Sequence, residues 1–262
     1  IDASDHLWFG KEKSHLHVAI DDATGAIIGA YFDRQETLNG YYHVYHQILT
    51  NYGIPFELFS DRRTVFEYER KHTKQIEKDT FTQFGYACQQ LGTKISTSSV
   101  PQAKGRVERL FETLQSRLIT ELRIHNITTM QEANAFLNSY IKKYNEKFAL
   151  GINHTTSVME TAPVPAKLNI ILGVLSTRKI NAGQHFAYNK KNYLPVTAGG
   201  KGIYFQRGTE VLVIQAFDGE LYVSIEDRLY RVRQLASHEL KSAEFDISDQ
   251  PKKETRKYIP PM

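Results

Sequence analysis

A chain of 262 residues, 41% of them hydrophobic, is long enough for one large domain and a small second one. Its single cysteine, Cys88, excludes an internal disulfide framework and any cysteine-built zinc cluster, and with no apolar run of about 18 residues and no basic-then-apolar start, a soluble, cytoplasmic protein is expected. The net charge is only +4, but residues 1–60 hold 3 Lys or Arg against 8 Asp or Glu, whereas 61–150 hold 15 against 10 and 176–262 hold 14 against 10: an acidic, cation-ready opening beside basic surface that suits a phosphate backbone.

The first residue is Ile1 and a strand begins at once, as expected of a fragment whose upstream part is missing. HLHVAID (15–21), the turn DDATG and AIIGAYFD (26–33) read as a hairpin. Residues 36–53 place Tyr41, Val44, Tyr45, Ile48, Leu49 and Tyr52 at helical spacing, stopped by Gly53 and Pro55. FELFSD (56–61) is a short strand ending in an aspartate. Residues 66–79 are charge-dense and read as an exposed insertion. A helix with Asp79 as N-cap and Gly92 as stop follows over 79–92, then a short strand, TKIST, and the loop SSVPQAKG. The stretch 105–126 has Val107, Leu110, Phe111, Leu114, Leu118 and Leu122 on one helical face, and another helix is expected over about 129–147.

Residues 151–175, with their clustered prolines, read as a linker. HFAYNKKNYLPV, KGIYFQRGTEVLVIQAF and ELYVSIEDRLYRVRQL, separated by turns such as AGGKG and DGE, predict a small barrel over 176–245. The polar, proline-ended remainder, 246–262, reads as an extended tail.

This order of elements puts Asp2, Asp61 and Glu108 at element ends, where they can converge on one edge of a sheet. Oxygen ligands without cysteine select Mg²⁺ or Mn²⁺, and two such ions would clamp the attacking and leaving oxygens of a phosphoryl displacement. Taken singly, each acid is more often a cap or a solvated charge. Asp21 and Asp22 rival Asp2, yet DDATG reads as a turn whose aspartate caps the backbone. Asp5 falls on the opposite strand face, and Glu112, a turn beyond Glu108, reads as a partner for a basic residue or for DNA. The ten histidines show no ligand-like spacing and read mostly as surface or turn residues.

IDASDHLWF, AIDDATGAIIGAYF, NYGIPFELFSDR and LGTKISTSSVPQAKGRVERLFETLQ together resemble the DDE transposase and retroviral integrase superfamily over residues 1–150. That resemblance implies an α/β, RNase H-like catalytic core, a mixed sheet with flanking helices, followed by a small all-β SH3-like barrel. It also implies that Asp2, Asp61 and Glu108 are catalytic and hold two Mg²⁺ or Mn²⁺ ions. Arg62 and Arg63 after the second aspartate, and the long gap to Glu108, depart from the integrase pattern. The family's active-site loop implies DNA contact for Gln102, Lys104 and Arg106, and Arg109 adds a further cation beside Glu108. In the barrel, Arg178, Lys179, Lys190 and Lys191 interleave with Phe186, Tyr188 and Tyr193; the cations suit phosphates and the aromatics suit the core. The expected function is DNA transposition by 3′-end cleavage and strand transfer, by a homo-oligomer on double-stranded DNA associated with a bacterial nucleoid. A metal-dependent nuclease that does not join strands and a domesticated DNA-binding module are the alternatives.

Overall fold

The computed structural model describes residues 1–60, 83–97, 105–151 and 157–236. The chain divides into two compact units, Ile1–Leu172 and Gly173–Met262. The first holds β1 (Asp2–His6), β2 (Ser14–Ile20), β3 (Ile27–Asp33), α1 (Leu38–Asn51), β4 (Glu57–Ser60), α2 (Gln83–Gln90), β5 (Lys94–Thr97), α3 (Gly105–Ile124), α4 (Met130–Phe148) and α5 (Pro165–Ile171). The second holds β6 (Val174–Lys179), β7 (Phe186–Tyr188), β8 (Lys191–Val196), β9 (Glu210–Gln215), β10 (Leu221–Ile225) and β11 (Arg228–Gln234).

In the first unit β1, β2 and β3 form an antiparallel sheet in that order, while β4 and β5 pair in parallel. The Ile1 nitrogen donates to the Phe59 carbonyl at 2.7 Å, setting the start of β1 beside β4. Alternation along the strands divides the core. Leu16 and Val18 of β2 with Ala30 and Phe32 of β3 pack against the apolar stripe of α3 and against Ala133, Leu137 and Tyr140 of α4. The opposite face receives α1. Gly29 and Gly40 permit that approach, because a Cβ at Gly29 would lie 2.8 Å from the Val44 carbonyl oxygen and one at Gly40 would strike the His17 ring. The expected helical stripe of α1 is buried except for its last member, Tyr52, which is 46% exposed.

The free edge of β3 is closed by side-chain amides. Asn134 accepts from the Phe32 N–H at 2.7 Å and donates to its carbonyl at 3.0 Å. Asn145 does the same for Ile27, and Gln47 of α1 for Ala30. A side-chain amide offers the same donor and acceptor pair as a peptide group, so three of them stand in for a neighbouring strand and leave the edge unable to pair elsewhere.

His17 stands apart from the histidines expected mostly at the surface or in turns: it is fully buried. Its Nδ1 faces the Tyr31 carbonyl oxygen at 3.3 Å and its Nε2 accepts from the Thr37 N–H at 3.2 Å, which assigns the neutral, Nδ1-protonated ring. Thr37 in turn is the N-cap of α1, accepting from Gly40 N–H, and donates to Asp33 at 2.6 Å.

Within the expected linker, the described residues from 157 onward include a paired segment and a short helix. Ile54 and Glu160 exchange two backbone hydrogen bonds, Gly53 at φ +110° admits the Glu160 carbonyl where any Cβ would collide, and Pro165 opens α5. Clustered prolines hid this from periodicity, because backbone pairing to one glycine turn needs no side-chain pattern. The expected insertion at 66–79, the N-cap at Asp79 and the tail at 246–262 lie outside the described residues.

In the second unit six antiparallel strands run in the order β6-β9-β10-β11-β8-β7, and the two end strands approach each other. Val211, Val213, Val223, Ile225 and Phe186 fill the interior. HFAYNKKNYLPV is not one strand: Asn189 and Lys190 take φ of 47° and 61° and fold it into a two-residue hairpin. Two consecutive left-handed residues are what the strand twist demands there, and asparagine tolerates the first of them.

Asn134→Leu leaves the Phe32 peptide without its partner and should cost about 2 kcal/mol in chemical denaturation. Burial depresses the His17 pKa to about 4, so an unfolded chain takes up a proton near pH 6.5 that the folded chain refuses. Stability should therefore be full above pH 6.5 and fall by about 3 kcal/mol on titrating towards pH 4, with that slope missing from His17→Asn.

Candidate functional site

Asp2 opens β1 and is buried, its Oδ1 accepting from the Ala3 N–H at 2.9 Å. Register pairs it with Val18 and pairs Ser4 with Leu16. Asp2 and Ser4 therefore project on the sheet face that meets α3, and Gln115 of α3 donates to the Ser4 hydroxyl at 3.2 Å. Glu108 lies seven residues before Gln115, two helical turns back on the same side of α3. Asp2 lies two residues before Ser4 on the same side of β1. From the Ser4–Gln115 contact, two strand residues span about 7 Å and seven helical residues about 10 Å, so the two acids stand at similar distances along neighbouring elements.

A cleft of about 450 Å³ opens there, lined by Asp2, Asp21, Asp22, Ser60, Arg106 and Val107 among others. Ser60 is the residue before Asp61, and Val107 the residue before Glu108. Glu108 is exposed in the first turn of α3 and does not itself line the cleft. Asp61, Gln102 and Lys104 lie outside the described residues. Among the described residues no three of His, Cys, Asp and Glu gather as a metal-holding group. The donor set of the cleft is nevertheless made of carboxylates and a hydroxyl, the chemistry that suits a hard divalent cation.

The rival acids have other work. Asp21 accepts from the N–H and hydroxyl of Thr24, closing the β2–β3 turn. Asp22 pairs with Arg106 at 2.9 Å. Asp5 pairs with Lys13, whose ammonium holds its carboxyl below the usual range. Sequence reasoning missed the contact between Arg106 and Asp22, since 84 positions separate them and neither lies on a periodic face.

The expected DNA contacts are dispersed. Arg109 turns back to the Gly105 carbonyl at 2.8 Å. In the second unit Arg178 lies 5.5 Å over the Tyr188 ring and donates to the Thr177 carbonyl, and Lys179 faces Glu210 at 3.8 Å. Lys190 and Lys191 are exposed at the β7–β8 turn. Phe186, Tyr188 and Tyr193 are buried in the barrel core.

The transposase for insertion sequence IS1202 of Streptococcus pneumoniae is 53% identical to this chain over 262 residues, covering 100% of the chain and 56% of that protein. The chain belongs to the insertion-sequence transposase family. The candidate transposase y4bF of Sinorhizobium fredii (strain NBRC 101917 / NGR234) is 33% identical over 213 residues, 79% of this chain and 46% of its own length. The chain thus spans about half the length of the transposases it matches. No family model matches it. A solved structure, the cryo-EM simian T-cell lymphotropic virus intasome in complex with PP2A regulatory subunit B56 gamma, aligns over 90% of this chain and 78% of its own at a TM-score of 0.43 and 16% identity. Among the described residues of this family member, no helix is long and apolar enough to cross a membrane.

The Arg106–Asp22 pair is solvent-facing, with side chains 49% and 89% exposed. Asp22→Asn should therefore change global stability by less than about 1 kcal/mol. A larger loss on denaturation would show that the pair is what holds the first turn of α3 in place.

Proposed function

We propose that this chain is the catalytic and C-terminal part of a DNA transposase that cleaves the 3′ ends of a mobile element and joins them to target DNA. The observation that carries the reading is the side-by-side placement of Asp2 on β1 and the first turn of α3 around an acidic cleft, in a chain 53% identical to an insertion-sequence transposase. Asp2, Asp61 and Glu108 would hold two Mg²⁺ or Mn²⁺ ions, which when bound lower the charge barrier to phosphoryl transfer and activate the attacking oxygen. An RNase H-like core is the arrangement this reading assigns to the first unit, and an SH3-like barrel the one it assigns to the second.

The roles of the remaining residues follow from charge and position. Arg106 stands at the cleft mouth, where its guanidinium can exchange the Asp22 carboxylate for a DNA phosphate. Gln102, Lys104 and Arg109 extend that contact along the loop and the first turn of α3. Arg178, Lys179, Lys190 and Lys191 give the barrel a phosphate-binding surface, and several copies would assemble on double-stranded DNA to align the two ends.

Pre-cut element ends incubated with target DNA and Mg²⁺ should be joined by the unaltered protein. Asp2→Asn, Asp61→Asn and Glu108→Gln should each reduce joining by more than about a thousandfold while DNA affinity stays within threefold, roughly the change expected when catalysis rather than binding is lost. Cleavage without joining would instead favour the nuclease, and joining unaffected by Glu108→Gln would reject the assignment.

A further inference from the structure

A second cleft, about 370 Å³, runs between α3 and α4. Its α4 wall carries one aromatic ring per helical turn: Phe136, Tyr140, Tyr144 and Phe148, with successive centroids 6.1, 6.3 and 4.9 Å apart. Tyr140 is buried in the core, but Phe136 and Tyr144 are partly open and Phe148 is 41% exposed. Three cations border the rings. The Arg117 guanidinium lies 5.1 Å and the Lys147 ammonium 5.5 Å from the Phe148 centroid, and Lys143 lines the same wall. The one carboxylate in the cleft, Glu121, faces His125 at 3.9 Å.

Arg117 lies nine residues beyond Glu108, a turn of about 180° around α3, so this cleft does not open on the side of the helix that Glu108 occupies. It is a separate surface. One exposed ring and partly open neighbours, bordered by an excess of positive charge, are complementary to a chain of flat bases linked by phosphates. Duplex DNA keeps its base faces stacked inside, so only unpaired nucleotides can use the rings. We propose that the α3–α4 cleft binds single-stranded DNA, with bases against Phe148 and Tyr144 and phosphates on Arg117, Lys143 and Lys147. This rests on the reading of the chain as a DNA-processing protein and adds to it a seat for unpaired strand.

The test uses the whole chain and a fluorescent oligothymidine carrying 5-iododeoxyuridine, with a duplex of equal length as control. Ultraviolet crosslinking followed by peptide mapping should mark residues 136–148 with the single strand and spare them with the duplex. Lys143→Glu/Lys147→Glu, two exposed positions, should weaken single-strand affinity about tenfold, and Phe148→Ala by a similar factor. Circular dichroism checks that each variant is folded, and Phe148→Tyr, which keeps the ring, should restore binding. Crosslinks confined to other segments, or unchanged affinity in the double variant, overturn the proposal. Polyglutamate bound as tightly as the oligonucleotide, with the same loss in the double variant, also overturns it and points to an acidic protein surface. Joining of pre-cut duplex ends reports on Asp2, Asp61 and Glu108 separately, so either reading can fail alone.

Discussion

The sheet of the first unit has an open edge at β3, and its closure by three side-chain amides is the constraint on which the rest of the unit depends. Asn134 and Asn145 lie eleven residues apart on α4 and grip Phe32 and Ile27, while Gln47 grips Ala30 from the other side. Two fixed points about 16 Å apart along a helix leave α4 no freedom to slide. On the same sheet face the apolar stripe of α3 packs over β1 and β2 while α4 lies against β3, and Gln115 meets Ser4 with the first turn of α3 and Asp2 lining one cleft.

Charge is arranged in the opposite sense to packing. Asp2, Asp21 and Asp22 line one cleft, where Arg106 pairs with Asp22. Asp21 and Asp22 are each offset by a partner of their own, Thr24 and Arg106. The basic excess lies in the later segments of the chain, while the acidic residues of 1–60 include those that line the cleft.

Much of this was legible in the sequence because it depends on local pattern. The α3 stripe from Val107 to Leu122 is buried as its spacing implies, and the aspartate of DDATG closes its turn. What stayed hidden depends on contacts between distant segments. A lone asparagine in an amphipathic helix, such as Asn134, looks like a solvated residue until β3 is seen beside it. His17 sits in a strand whose alternation is correct, yet its neutrality follows from burial under α1, with Tyr31 and Thr37 supplying a partner at each ring nitrogen. Asn189 and Lys190 broke a run that reads as one strand, since a turn of two left-handed residues without glycine gives little signal. Of the site, Asp2 and the first turn of α3 are found together, whereas Asp61, read from the same motif, lies outside the described residues.

The proposed function requires that three acids far apart in the chain share bound cations. Replacing Mg²⁺ by Fe²⁺ and adding ascorbate and peroxide generates radicals that cut the backbone only where the metal sits. Fragment ends should cluster at Asp2, Asp61 and Glu108 together, and all three cuts should disappear when excess Mg²⁺ competes. Cuts at a single one of these positions, or at sites unrelated to them, would contradict a shared metal site.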